Sequence, residues 1–445
     1  MPFNDFLCVY EYAIPATWSV RSGEMMQSAA HAAGLTAPSG TQEYTGGRDR
    51  LHIISEPEAG AVYCGLWKDL NLKPNQSFMV CDAGDGSIDT AIYQVLENLT
   101  QIAERWASSD ASCGSHFLDL NFHAYLEEWH RIRNIRLSEK NLMHYMHAFT
   151  YSEKLVFTGK QDGKDLLFEC FDVSDYDHTY LSDDEFFNGQ LVVTVSDLRE
   201  RVFDPIVNEI LHLLEAQLQR VGSVDALFLI GGFCANQYLF DRIWDTFHER
   251  LHDRILKSSD PERAKSIGAA QSGLAQSLIH WPIGAPTIIA SKSYIIEVGP
   301  NQGFGPEGNW KLGNAAEING YNLVFKAQYL VLKGAVLKKG EPVLEEFTKT
   351  STDPSDSVFM ARLYSSDSEE IRPDISGDHL KHIQDWEIDL SGASLFKQNA
   401  QNSPQHGFDT VFEIGIEIES QAVHVVWFCE GKEHGRSRLP AVPGN

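Results

Sequence analysis

The run Asp82-Ala83-Gly84-Asp85-Gly86-Ser87-Ile88-Asp89 brings carboxylates, glycines and a hydroxyl together directly after an apolar segment. A carboxylate at the end of a buried strand, a glycine-rich turn, a hydroxyl and a second carboxylate are the parts of a phosphate and metal device. Gly84 and Gly86 can take positive φ and let backbone N–H groups converge on an anion, while Asp82 and Asp89 can hold a hydrated Mg²⁺. The same residue types also make an ordinary β-turn. A second element is the apolar run Ala226 to Ile230 ending in Gly231-Gly232-Phe233, where a turn without Cβ atoms lets a ligand approach the backbone. A third is Ile54 to Tyr63, in which Glu56 and Glu58 sit at a helix start and small residues follow, allowing close helix packing. A plain strand-to-helix turn and a simply capped helix account for the second and third equally well.

These residues need a scaffold, and the chain supplies alternating strand and helix signals around them. Cys8 to Ile14 reads as a strand stopped by Pro15, and Ser22 to Ala33 as a helix closed by Gly34. Leu51 to Ile54 reads as a short strand, and Pro57 opens a helix running to about Trp67. Phe78 to Val95 is a hairpin around the glycine turn. Apolar residues at helical spacing predict two helices between Ser115 and Thr150, a long one from Ser196 to Gln219, and two more over Asn236 to Arg250 and Glu262 to His280. The acidic stretch Asp172 to Glu185 reads as a solvated loop.

Two prolines and a glycine in Trp281 to Pro286 mark a linker. Beyond it the pattern changes to strands. Tyr321 to Leu332 is strand-like, Phe412, Ile414, Ile416 and Ile418 alternate with polar residues or glycine, and Val423 to Phe428 supplies a partner. The expected organisation is a first domain over 1–280, a linker at 281–286, a β-rich domain over 287–430 with an acidic loop around Ser365 to Glu370, and a tail over 431–445.

The chain has 445 residues, enough for two or three packed units, and a net charge of −26 that repels nucleic acid and anionic membranes. No apolar run is long enough for a membrane span and no basic-then-apolar leader is visible, so the expected location is cytoplasmic, in cytosol or nucleus. Seven cysteines stand singly, without a C-x-x-C pair, and read as reduced thiols. His144 with His147, and His116, His123 and His130, read as exposed or core-edge histidines with no metal set around them.

Taken in order, the three elements resemble the ATPase domain of the 70-kDa heat-shock protein chaperones. Ser55 to Ala61 matches that family's N-E-P-x-A-A-A helix motif, Asp82 to Asp89 its phosphate hairpin, and Gly231-Gly232-Phe233 its adenosine-site glycine pair. Tyr12 to Ala16 is similar to its T-V-P-A strand end, Gly114-Ser115 to a glycine pair near the phosphates, and Ile267 to Ala270 to its second connecting helix. The match spans residues about 8 to 280. Phe233, with the β-rich C-terminal part, resembles the divergent heat-shock protein 12A type, since the general chaperones carry serine there.

The resemblance implies an α/β fold: an actin-like (ribonuclease H-like) ATPase domain, N-terminally incomplete, followed by a β-rich C-terminal domain. It implies ATP or ADP with Mg²⁺ as cofactors. Asp82, Asp89 and Glu56 would be catalytic, with Asp82 and Asp89 holding Mg²⁺ through water. Gly84, Asp85, Gly86, Ser87, Gly114, Ser115, Lys154, Gly231, Gly232 and Phe233 would contact the nucleotide, Lys154 at the base. Implied partners are unfolded polypeptide clients or co-chaperones, without nucleic acid or membrane. The sequence departs from the family's pattern by showing neither the opening D-x-G-[TS] turn that grips the phosphates from the other lobe nor the lysine that follows it, and by Asp85 in place of the middle glycine. Hydrolysis is therefore expected to be impaired. Two other readings stay open: a scaffold that keeps the fold without turnover, and a sugar or acetate kinase of the same superfold.

Overall fold

The computed structural model describes residues 10–16, 18, 20–34, 51–65, 72–96, 102–110, 113–160, 165–176, 181–277, 287–299, 302–304, 310–318, 321–368, 380–402, 407–419 and 422–440. The chain divides into two units: Met1–Ile102 with Trp106–Ile283, and Ala103–Arg105 with Gly284–Asn445. The expected linker, residues 281–286, lies outside the described residues, as do the end of the Glu56 helix beyond residue 65 and residues 441–445.

The first unit is built on the strand Ser77–Ala83, buried at every position. A strand covered on both faces must be apolar on both, and this one is from Phe78 to Cys81, ahead of Asp82. It pairs in parallel with Ala226–Ile230, which pairs in turn with Ile255–Lys257, and antiparallel with Ile88–Val95, beside which Ile102–Asp110 lies. The two-residue period sorts the core into clusters. Met79, Cys81, Ile92 and Leu229 join Leu118, Phe122, Phe149, Phe203 and Ile210 from the helices, whereas Phe78, Val80, Ala91, Tyr93 and Phe228 form a second cluster. The described helices include Val20–Ala32, Glu56–Gly65, His116–Arg133, Glu139–Ala148, Asp204–Val221, Gln237–Phe247 and Ala264–Ser277. A separate parallel pair, Tyr10–Ile14 with Leu51–Ser55, lies near the start of the described chain.

Several details differ from the expectations. Between an opening turn, Val195–Asp197, and the helix from Asp204 lies a π-helical stretch, Leu198–Phe203, that a 3.6-residue period does not reveal. The acidic stretch 172–185 is not simply solvated. Tyr176 in it is 1% exposed and its hydroxyl meets His130 Nε2 at 2.8 Å, while Glu185 pairs with Arg133. His130 is thus a core residue. Its Nδ1 donates to the Leu126 carbonyl, and burial pulls its pKa down, so a neutral ring can accept from Tyr176 through Nε2. The free cysteines Cys81, Cys113, Cys170, Cys234 and Cys429 are all buried.

The second unit holds two five-stranded sheets with antiparallel pairing throughout. One runs Trp310–Ile318, Tyr321–Val331, Ser293–Val298, Val358–Ser366, Leu380–Asp389; the other runs Gln302–Phe304, Val343–Ser351, Phe408–Ile418, Val423–Cys429, Lys432–Arg438. Inward residues of both meet in one core, where the Phe359 ring lies 4.9 Å from Phe412 and 5.9 Å from Phe347. This is a β-sandwich. Two expected boundaries need correction. The segment 431–440 is not a tail, because Lys432–Arg438 is an edge strand paired with Val423–Cys429. Ser365 and Ser366 belong to a strand and are buried, so the acidic loop does not begin there.

Candidate functional site

The hairpin register decides where the carboxylates point. The Gly84 N–H donates to the Ser87 carbonyl at 3.0 Å and closes the turn, so Asp82 stands directly opposite Asp89. Directly opposed residues of an antiparallel pair share a face. On its other side Asp82 is paired with Ile230, so the chain turns at Gly231 immediately beside the Asp82 carboxylate. Gly231 has φ 87° and ψ 154°, and a Cβ there would collide with Asp82 Oδ1 and the Ala83 carbonyl. Only glycine meets both demands. Gly84 and Gly86, in contrast, do not take positive φ; the positive value expected in the hairpin occurs at Gly231 instead.

Glu56 reaches the same place from the helix Glu56–Gly65. That helix is capped by Ser55, whose Oγ accepts from the Glu58 N–H at 3.2 Å, and it carries Glu56 in its first turn, where the macrodipole favours an anion. Its small residues admit the helix Ala264–Ser277, since a Cβ on Gly268 would strike the Ala59 carbonyl. One carboxylate oxygen from each of Glu56, Asp82 and Asp89 lies within 4.8 Å of the other two.

Lys265, which sequence reasoning missed, completes the cluster. Its Nζ lies 2.8 Å from Glu56 Oε2 and 2.9 Å from Asp82 Oδ2. Burial pushes the Asp82 carboxyl up to about 7 against the pull of Lys265, with Glu56 and Asp89 adding to the rise. Burial pulls the Lys265 ammonium down, but Asp82 and Glu56 outweigh it and hold its pKa above the ordinary value. One signal was available in the sequence: a lysine in the first turn of a helix opposes the macrodipole and needs carboxylates nearby.

The other expected residues divide. Gly114 and Ser115 do come to the hairpin, where the Ser115 N–H donates to the Gly84 carbonyl at 3.0 Å and the His116 N–H to the Asp85 carbonyl at 2.8 Å. These are the first amides of the helix His116–Arg133, so the hairpin itself consumes the donors that a phosphate would use. Asp85 is exposed and accepts from Ser115 Oγ at 2.8 Å, which leaves that serine no side-chain bond to its own helix. Ser87 Oγ donates to Asp89 Oδ2 at 3.3 Å. Gly232 is exposed, with open space around it.

Lys154 and Phe233 are placed otherwise than expected. Lys154 Nζ is buried against Asp119 Oδ2 at 2.7 Å, and Thr150 Oγ1 donates to Asp119 Oδ1, so this lysine is engaged inside the unit instead of extended toward a base. Asp119 is the residue that the sequence reading overlooked, although a buried lysine requires such a partner. The Phe233 ring, 4% exposed, lies in the core because the short 3₁₀ turn Gly232–Ala235 directs it inward.

The Mg²⁺ that the resemblance implies does not fit these side chains as they stand. Three converging carboxylates, with Asp82 Oδ1 lacking a hydrogen-bond partner among the described residues, favour a cation. The Lys265 ammonium already bridges two of the three. Mg²⁺ demands six oxygens at about 2.0–2.1 Å and keeps much of its water, for which the ammonium leaves no room.

No family model matches the chain. Among curated proteins it is 23% identical over 226 residues to a chaperone protein HscA homolog of Rickettsia prowazekii, covering 50% of this chain and 31% of that one. It is 26% identical over 232 residues to the chaperone protein dnaK of Cyanidioschyzon merolae, covering 51% and 35%. It is 24% identical over 226 residues to the HscA homolog of Rickettsia typhi, covering 50% and 31%. The chain spans about a third of the length of these curated relatives. It is therefore weakly similar, over half its own length, to chaperones of the 70-kDa heat-shock type.

Proposed function

We propose that the chain is a chaperone-related protein of the 70-kDa heat-shock type whose first unit keeps one side of a nucleotide-phosphate clamp. ATP or ADP would lie against the Asp82–Asp89 hairpin and the Gly231-Gly232 turn, and the β-sandwich would contact unfolded polypeptide or a co-chaperone in the cytoplasm. The observation that carries this reading is the placement of Gly231 against Asp82, which joins two distant motifs at one strand end. The similarity to HscA and dnaK chaperones supports it. Calorimetric titration of the full chain with ATP is expected to show binding that Gly232→Asp weakens. A Cβ at Gly232 meets nothing within 4 Å, so a loss of binding at an unchanged unfolding midpoint reports on the ligand and not on packing. Absence of any heat of binding at millimolar ATP would sink the proposal.

A second reading, a scaffold without turnover, is favoured by Lys265. Phosphoryl transfer needs positioned charge around the transferred group, and here the lysine closest to the carboxylates is spent on them. Steady ATP hydrolysis by the wild-type chain, abolished by Asp82→Asn, would exclude the scaffold.

A further inference from the structure

We propose that Lys265 is a built-in counter-ion that takes the place of a divalent cation among Glu56, Asp82 and Asp89, so that the first unit holds its carboxylate cluster without metal. The inference does not depend on nucleotide binding.

Three observations carry it. The ammonium is hydrogen-bonded to Glu56 at 2.8 Å and ion-paired to Asp82 at 2.9 Å, the spacing of a bridging cation. Asp82 is 1% exposed and could not remain charged at the end of an apolar strand without a neighbouring positive group. Lys265 itself stands in the first turn of Ala264–Ser277, where the helix dipole opposes a cation and no acidic residue of that turn offsets it. The carboxylates contributed by other elements compensate the lysine, and the lysine compensates them. Its backbone cannot drift away, because Gly268, one turn further on, is packed against the Ala59 carbonyl of the helix that carries Glu56.

The chemistry on offer differs from that of a metal cluster. An ammonium neutralises one charge and donates hydrogen bonds, but it does not accept a phosphate oxygen or an attacking water into a coordination shell. A cluster so filled stabilises the meeting of strand and helices and leaves the neighbouring turn to bind whatever it binds on its own.

The test is Mn²⁺ binding to the full chain without nucleotide, read from the electron paramagnetic resonance signal of free Mn²⁺. Because the chain is acidic and will hold some Mn²⁺ on its surface, the quantity read is the difference that Asp82→Asn makes. In the wild type Asp82→Asn is expected to change nothing. Lys265→Met is expected to gain one site at least about tenfold tighter than the background, lost again in the Lys265→Met, Asp82→Asn double variant. Lys265→Gln serves if the methionine variant does not fold. A wild-type Mn²⁺ site that Asp82→Asn removes overturns the proposal, and so does a folded Lys265 variant that gains no site.

Discussion

Lys154 and Lys265 are both drawn into the first unit by carboxylates, yet their surroundings are balanced in opposite ways. Lys154 and Asp119 form a close pair with side chains only 9% and 12% exposed, Thr150 donates to the second carboxylate oxygen, and the His116 ring stands 3.9 Å from the first. Lys265 is shared between Glu56 and Asp82 with Asp89 close by, and burial first, then the two neighbouring carboxylates, raises Asp82 to a near-neutral pKa. The contrast separates structure from chemistry. A balanced buried pair anchors helices, whereas an unbalanced cluster at a strand end is where a proton, a cation or a ligand can change the local energy.

The comparison breaks most readily at its balanced half. Asp119→Ala leaves an ammonium buried without a partner and should cost about 3–5 kcal/mol, while Asp119→Leu with Lys154→Met should recover most of it. Urea unfolding of the single and double variants measures this. A cost below about 1 kcal/mol would mean that Lys154 simply swings into solvent and the pair anchors nothing.

The unbalanced half should reveal itself in pH. The folded chain holds Asp82 at about 7 against an ordinary value of 3.8, so it binds that proton more tightly than the unfolded chain does. Stability from this group is present below pH 4 and is lost as pH rises toward 7, by about 2–4 kcal/mol. Glu11, pushed up to about 7 mainly by burial, adds in the same direction and window. Denaturant midpoints between pH 4 and 8 should therefore fall less steeply in Asp82→Asn than in wild type. An unchanged slope would show that the cluster is solvated.

The smallest of these effects sharpens how the cluster is positioned. Gly231→Ala forces a Cβ into Asp82 Oδ1 and the Ala83 carbonyl at a φ that alanine tolerates poorly, and should cost about 2–3 kcal/mol. Gly232→Ala, one residue on and in open space, should cost far less, and thermal melting of the two variants tests the difference.

Much of the fold was legible because its signals are local. The hairpin follows from apolar alternation on both sides of a glycine turn, and the helix from Glu56 follows from a serine cap and a proline in its first turn. The edge strand Lys432–Arg438 was not legible. Its residues are polar and mostly exposed, so no hydrophobic period marks it, and only pairing with Val423–Cys429 makes it a strand. The short helix Ser394–Asn402 escaped for a similar reason, burying only Phe396 deeply.

By itself the amino-acid sequence determined that two aspartates flank a four-residue turn, that glycines follow a buried strand, and that an acid opens a helix of small residues. Those are properties of neighbours along the chain, set by backbone geometry and period. What only the tertiary structure decided is the charge that each of these residues meets. Lys265 is 209 positions from Glu56, and Lys154 is 35 from Asp119. Such pairings depend on which helices the glycine contacts allow to approach, and electrostatic interaction depends on distance in space and not along the chain.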